Sequence, residues 1–386
     1  MVTGEEERYK RQETIWDQDK LSRANILVVG AGTLGNEICK NLALVGIGHI
    51  TVVDFDEVEE VNLNRCLFFR ECDIGKKKAD VLAERIAELN PDIEAKGINC
   101  DINTDMGAGF FLEFDVILGG LDNIMAREKV NKYACWTGTP YIDGAIEGLN
   151  GQMQVIIPPE TACYTCSVPP EMNVMRNVHV SCSGTKLDSR GVSVPMVATT
   201  ASIVAALQVQ EAINIIHTGD SKLKGRQLRF DQAHSYRKDM SDRNTTVHYD
   251  LYENVVEKKE GCTGHAYYKD SLLRLPLTEE CTLQNLIEAL ENELGVNPEI
   301  RNDELICYNL YCSSCGWKEP VFKLKKALGI DVNEMKCPKC GKMSVLDNSD
   351  DILLPKYKDR KICEFGIPRN HILMVNREIP IYLSKR

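Results

Sequence analysis

Three sets of residues in this chain carry types and spacings that could do chemistry: a glycine loop, a cluster of acids and amides, and paired thiols. Gly30, Gly32 and Gly35 stand in G-x-G-x-x-G spacing between an apolar run at 26–29 and a helical stretch, which lets backbone approach a phosphate at a helix N-terminus. Asp54 follows about 20 residues beyond the glycines, where a carboxylate can take both hydroxyls of a ribose. Asp54 and Asp56 stand near Asn62, Asn64 and Arg65, a mixture suited to ribose, metal and phosphate together and not needed for hydride chemistry. Cys312-Ser-Ser-Cys315-Gly and Cys337-Pro-Lys-Cys340-Gly are two knuckles about 20 residues apart; each puts two thiolates on one turn, and together they fill the tetrahedron of a closed, structural zinc ribbon. Cys163-Tyr-Thr-Cys166 and Cys262-Thr-Gly-His265 are further pairs, and Cys182 reads as an isolated thiol in a Pro-rich, poorly periodic loop.

Such a site needs strands and helices to hold it. The run at 26–29 suits a strand buried on both faces, and a second strand ends at Asp54. Apolar residues at Ala79, Leu82, Ala83, Ile86 and Leu89 predict a helix with one buried stripe, Lys77 or Lys78 near its start and Asn90-Pro91 at its end. Strands are expected near 93–98 and at 116–119, with Gly119-Gly120-Leu121-Asp122-Asn123 just past the second. A helix at 124–136, a strand at 140–143, a long apolar helix from Pro195 and a last strand at 226–231 complete the pattern. The alternation predicts an α/β fold with a doubly wound, Rossmann-like sheet whose ligands gather at the strands' carboxyl ends. A shift toward charge places the first domain at about 1–260. The rest, about 261–386, reads as a smaller α+β domain with the ribbon inserted at about 307–345.

The 386 residues are 43% apolar, enough for a substantial core, and no apolar run approaches the roughly 20 residues needed to span a bilayer. The charged start, MVTGEEERYKRQ, is unlike a signal peptide, so a cytoplasmic location and no membrane association are expected. A net charge of −11 argues against general nucleic-acid binding. Without a secretion signal, the sixteen cysteines are expected to be reduced and to serve as zinc ligands, nucleophiles or core residues.

Taken together, RYKRQ, GAGTLG, DFD, NLNR, DIGKKKA, GLDN, YIDGAIEGLNGQ and CYTC, in that order across about 8–231, resemble the ThiF/MoeB superfamily. These enzymes adenylate the C-terminal glycine of ubiquitin-like proteins and sulfur carriers. DGAIEGLNGQ and the run of the chain are more similar to the catalytic subunit that activates NEDD-type modifiers than to the bacterial sulfur-carrier enzymes.

The resemblance implies ATP and Mg²⁺, with Gly30, Gly32 and Gly35 at the phosphates, Asp54 at the ribose, and Asn62, Asn64, Arg65 and Lys78 gripping the phosphates. It implies that Asp122 helps hold magnesium and that Arg11 reaches from one protomer into the other's ATP site, hence a homodimer with C2 symmetry. It matches Cys163 and Cys166 to the family's first zinc pair. The second pair, normally C-x-x-C, is here Cys262 and His265, and histidine is an acceptable zinc ligand. Cys182 lies where thioester-forming members carry their nucleophile, although the family's separate helical cysteine domain is missing. The C-terminal domain resembles the ubiquitin-fold domain that recruits a conjugating enzyme, and the ribbon within it is a departure. The implied activity is adenylation of a ubiquitin-like protein, capture as a Cys182 thioester and transfer to a conjugating enzyme. The alternatives are a sulfur-carrier adenylyltransferase that stops at the acyl-adenylate and a nucleotide-binding scaffold, the latter opposed by the retained Arg11, Arg65, Lys78 and Asp122.

Overall fold

The structure, a computed structural model, describes residues 8–169, 196–231, 250–328, 336–352 and 357–384. It forms two compact units, Met1–Ile102 with Phe111–Tyr267, and Asn103–Phe110 with Tyr268–Arg386. The first unit thus runs a few residues past the expected boundary, which brings Cys262 and His265 into it. It also gives up Asn103–Phe110, a segment of the crossover between two of its own strands.

The first unit is built on an eight-stranded sheet in the order β3-β2-β1-β4-β5-β6-β7-β8. Strands β1 (Asn25–Val29), β2 (His49–Val53), β3 (Glu94–Ile98), β4 (Val116–Gly119) and β5 (Tyr141–Glu147) run parallel. Strands β6 (Asn150–Ile156), β7 (Arg226–Asp231) and β8 (Asp250–Val255) extend it antiparallel. Ile26 pairs with Ile50 on one side and Val116 on the other, so the apolar run at the centre is covered by helices on both faces. From β1 the chain steps to β2 in one direction, whereas β4 and β5 follow in the other. The reversal between β1 and β4 is a topological switch point, the place where such sheets open a crevice.

Helix α1 (Thr33–Val45) packs against both α2 (Lys78–Leu89) and α4 (Ala198–Thr218), while α3 (Ile124–Thr137) packs on residues 263–265. α4 presents Ala201, Val204, Ala205, Val209 and Ala212 to the core. The expected last strand at 226–231 is followed by β8, exposed along its whole length and held by pairing to β7.

The exit from β1 is where helix, strand and neighbouring loop meet most closely. Gly30 has φ +100°, in the region that favours glycine, and a Cβ there would lie 2.6 Å from the Gly120 carbonyl oxygen. A Cβ on Gly35 would fall on the Gly30 carbonyl oxygen, while one on Gly32 would meet nothing within 4 Å.

In the second unit β9 (Leu273–Leu275), β10 (Ile300–Tyr311), β11 (Lys318–Leu324), β12 (Val345–Asp351), β13 (Ile372–Val375) and β14 (Ile379–Leu383) form a six-stranded sheet. Its order is β11-β10-β13-β14-β9, with β12 also on β10 and β9 parallel to β14. Helix α5 (Leu283–Leu294) starts at a capping box between Thr282 and Asn285 and buries Leu283, Leu286, Ile287 and Leu290 with Ile300, Phe365 and Ile381. This is the α+β class expected. No helix among the described residues is long and apolar enough to cross a membrane.

The close packing makes a contrast that can be measured. Gly35→Ala should destabilise the chain by about 2–3 kcal/mol, because the backbone behind the new methyl cannot yield, whereas Gly32→Ala should change stability by less than about 1 kcal/mol. Denaturant unfolding of the two variants checks this, and equal losses would contradict it.

Candidate active site and zinc sites

The residues expected at a nucleotide are placed by the ends of β1, β2 and β4 and the first turns of α1 and α2. Past β2, Asp54 uses one carboxylate oxygen to accept the Ala31 N–H at 2.7 Å, which fixes the glycine loop, and the other to accept the Asp56 N–H at 2.8 Å. Burial pushes the Asp54 carboxyl above the usual carboxylate range, against those two hydrogen bonds and the Lys78 charge. Lys78 is the first residue of α2 and is buried. Its ammonium donates to Asp56 Oδ2 at 2.8 Å. Burial alone would lower its pKa, but Asp56 and the charge of Asp54 hold it above the ordinary lysine value. A cation at a helix N-terminus opposes the helix dipole, costing about 0.3–1 kcal/mol. Here two carboxylates hold the lysine charged at the start of the helix.

Asn62 lies in a short turn and is buried, its Oδ1 accepting the Glu59 N–H at 2.9 Å, so it shapes the loop between β2 and α2. Arg65 donates to the Val61 carbonyl and to Asn64 Oδ1, and it pairs with no carboxylate among the described residues. Cys66 lies 3.9 Å from the Thr33 hydroxyl at the start of α1, which ties this loop to the glycine loop. Asp122 is exposed on the loop after β4, its Oδ1 accepting from the Asn123 amide at 3.2 Å, and Asn123 caps α3 by accepting the Ala126 N–H at 2.8 Å. Gly120 in that loop approaches Gly35 closely enough that a Cβ would lie 3.0 Å from the Gly35 nitrogen. The loops after β1, β2 and β4 therefore converge.

Arg11 does not join them. Its neighbour Gln12 donates to the Val45 carbonyl at 3.0 Å, at the far end of α1, and Tyr9 accepts from Asn90 at 2.6 Å, at the far end of α2. The 13-residue length of α1 thus separates Arg11 from the glycine loop of its own chain by ~20 Å. Arg11 is exposed and forms no ion pair among the described residues. Cys182 lies outside the described residues.

Two buried polar residues of α3 were not legible as part of the site. Arg127 is fully buried, with its Nε donating to the Leu121 carbonyl at 3.2 Å, its terminal nitrogen to the Gly144 carbonyl, and its guanidinium 3.5 Å from Asp143. Burial raises the Asp143 carboxyl, against the Arg127 charge and the Tyr141 hydroxyl that donates to it at 2.7 Å. The only sequence signal was Asp143 within YIDGAIEGLNGQ. Asn131, also fully buried, accepts the Tyr164 N–H at 2.8 Å and donates to the Gly264 carbonyl at 3.0 Å, joining two turns about a hundred residues apart.

Those two turns bring Cys163, Cys166, Cys262 and His265 together, their ligand atoms all within 4.8 Å of one another. Cys163 Sγ lies 3.8 Å from both Cys166 Sγ and Cys262 Sγ, and Cys166 Sγ lies 3.5 Å from His265 Nδ1. Zn–S bonds of about 2.3 Å and Zn–N bonds of about 2.0–2.1 Å give tetrahedral edges of about 3.8 and 3.5 Å, so this donor set fits zinc. The Lys259 N–H donates to Cys166 Sγ at 3.4 Å, a bond of the kind that steadies a thiolate ligand.

In the second unit Cys312, Cys315, Cys337 and Cys340 also converge within 4.8 Å. Cys312 and Cys340 lie 3.5 Å apart, and Cys315 and Cys337 3.6 Å. The Gly316 N–H donates back to the Cys312 carbonyl at 2.9 Å and the Gly341 N–H to Cys337 at 2.8 Å, which closes each knuckle. Metal analysis should find two zinc ions per chain in the wild type and one in Cys315→Ser/Cys340→Ser; a single zinc in the wild type would contradict the assignment.

Residues 8–248 match the ThiF family. A NEDD8-activating enzyme E1 catalytic subunit of Caenorhabditis elegans is 40% identical over 171 residues, covering 40% of this chain and 40% of that protein. The chain thus matches well under half the length of that relative. The adenylyltransferase and sulfurtransferase MOCS3 of Culex quinquefasciatus is 30% identical over 324 residues, covering 79% of this chain and 70% of that protein. Among solved structures, Escherichia coli MccB with ATP shares the fold with a TM-score of 0.54 at 21% identity, over 69% of this chain and 75% of that one. The sheet, the converging loops and these matches lead to one conclusion: the chain belongs to the ThiF family of adenylating enzymes.

Proposed function

We propose that this chain uses ATP and Mg²⁺ to adenylate the C-terminal glycine of a ubiquitin-like protein, captures the acyl group as a thioester on Cys182, and passes it to a conjugating enzyme in the cytoplasm. The observation that carries the reading is the run of contacts from the glycine loop through Asp54 and Asp56 to Lys78, set at the switch point between β1 and β4. A carboxylate attacking an α-phosphate brings one anion against another, so the site must neutralise charge and hold the attack in line. Gly30, Gly32 and Gly35 hold the phosphates at the start of α1, and Asp54 faces the ribose. Lys78 and Arg65 neutralise the charge that develops as pyrophosphate leaves. Asn64 steadies Arg65, and Asn62 holds the loop that carries both. Magnesium, which Asp122 helps hold, adds neutralisation of the triphosphate when bound.

Arg11 supplies a further cation in trans. Its distance from its own glycine loop supports this reading, as does its lack of an ion pair among the described residues, and the consequence is a C2 homodimer. In the second half-reaction the Cys182 thiolate attacks the acyl carbonyl, forming the thioester and displacing AMP. The second unit is then the docking domain for the conjugating enzyme. One observation favours a second reading, in which the chain serves a sulfur carrier and stops at the acyl-adenylate: the likeness to MOCS3 covers 79% of this chain, against 40% for the NEDD8-activating subunit.

Lys78→Ala should lower modifier-dependent exchange of pyrophosphate into ATP by roughly 10²–10³-fold, the scale for losing one group that stabilises transition-state charge. Arg11→Ala should match that loss, and mixing the two variants should restore activity, because a mixed dimer has one pocket with both an intact lysine and a partner arginine. No rescue despite demonstrated subunit exchange would overturn the trans arginine.

Cys182→Ala should keep the exchange reaction but lose the reductant-sensitive enzyme–modifier band on a non-reducing gel. A band that persists would assign the nucleophile elsewhere. Exchange without any band in the wild type would favour the sulfur-carrier reading.

A further inference from the structure

Helix α3 connects the nucleotide side of the first unit to its zinc knuckles through one buried face. Arg127 and Asn131 are four residues apart and so stand one above the other on that face. Asn131 clamps both knuckles, through the Tyr164 N–H and the Gly264 carbonyl. Arg127 holds the loop after β4 by its bond to the Leu121 carbonyl, and it is braced by Asp143 and Gly144. Beside Arg127 lies the ring of Tyr164, a residue of the first knuckle, with the Arg127 guanidinium carbon 5.6 Å from its centroid. That is within cation–π range, and both side chains are removed from water, where such contacts are strongest.

The loop held by Arg127 carries Asp122. The Asp122 side chain is exposed, with Asn123 as its neighbour partner, so its direction is set by the backbone on either side. On one side Asn123 is fixed as the cap of α3, and on the other the Leu121 carbonyl is fixed by Arg127. A shift of the Tyr164 ring would alter the seat of the guanidinium, and with it the tilt of the peptide that leads into Asp122.

We propose that Tyr164 and Arg127 form a relay by which the Cys163, Cys166, Cys262 and His265 knuckles set the position of Asp122, making Arg127 a positioning residue for the magnesium-bound nucleotide. The relay rests on the reading of Asp122 as a magnesium-holding acid, and it makes this zinc site a determinant of nucleotide affinity as well as of folding.

The test is equilibrium binding of ATP to the full chain, with and without magnesium and with no modifier present, alongside zinc content and thermal midpoint. In Tyr164→Leu the gain in affinity that magnesium confers should fall on the order of tenfold, the scale of a buried cation–π contact, with magnesium-free ATP bound as in the wild type. Tyr164→Phe keeps the ring face and should lose less of that gain than Tyr164→Leu. His265→Ala, which removes a knuckle ligand and changes no residue of α3, should show the same selective loss, and the double variant should be no weaker than the weaker single one, since both act through one relay. Equal losses with and without magnesium, no loss, or losses that multiply in the double variant would each overturn the relay. Asp122→Ala separates the two claims. If it lacks the magnesium-dependent loss, the assignment of Asp122 fails and the relay with it, whereas a loss there without one in Tyr164→Leu and His265→Ala overturns the relay alone.

Discussion

The whole site depends on three stretches of backbone meeting without side chains between them. Gly30, Gly35 and Gly120 let the end of β1, the first turn of α1 and the loop after β4 approach to backbone contact. That contact draws the helix N-terminus into the crevice and leaves open space in front of Gly32. Everything charged in the site is placed relative to it. Asp54 reaches back to the Ala31 N–H, Asp56 follows from Asp54, and Lys78 follows from Asp56. The arrangement is a chain of dependencies, so a disturbance at the glycines propagates to the lysine.

The electrostatics follow from this geometry. Lys78 stands at a helix end whose dipole disfavours it, in a site whose burial also disfavours it, and it is held charged by two acids. An anion arriving at that end finds a cation already held in place. Asp143, buried deeper and paired with Arg127, does not face the crevice in this way; its charge serves to seat the arginine that fixes the loop before Asp122.

Much of this was legible in the sequence because it rests on local rules. The glycine spacing, the acid at the end of β2, the strand at Val116–Gly119 and the C-x-x-C-G knuckles each depend on a few neighbouring residues whose geometry is fixed by the turn they form. Less local features were hidden. Helix α3 is buried on nearly all sides, so Arg127 and Asn131, which a helical pattern would assign to solvent, are interior residues whose partners lie far along the chain. β8 escaped notice because it is exposed on both faces, which leaves no alternation of apolar residues to betray it. The segment Asn103–Phe110 belongs to the second unit by contacts no local pattern encodes: Gly109 donates to the Asn370 carbonyl at 2.6 Å, and Ala108 to His371 at 3.3 Å.

The central claim is that the site directs a protein carboxylate onto the α-phosphate of ATP, and isotope transfer tests it most directly. A ubiquitin-like protein whose C-terminal carboxylate carries heavy oxygen, incubated with the enzyme, ATP and magnesium until AMP is released, should deliver one labelled oxygen to AMP and none to pyrophosphate. Label appearing instead in inorganic phosphate alongside ADP, or AMP formed without label, would contradict the account.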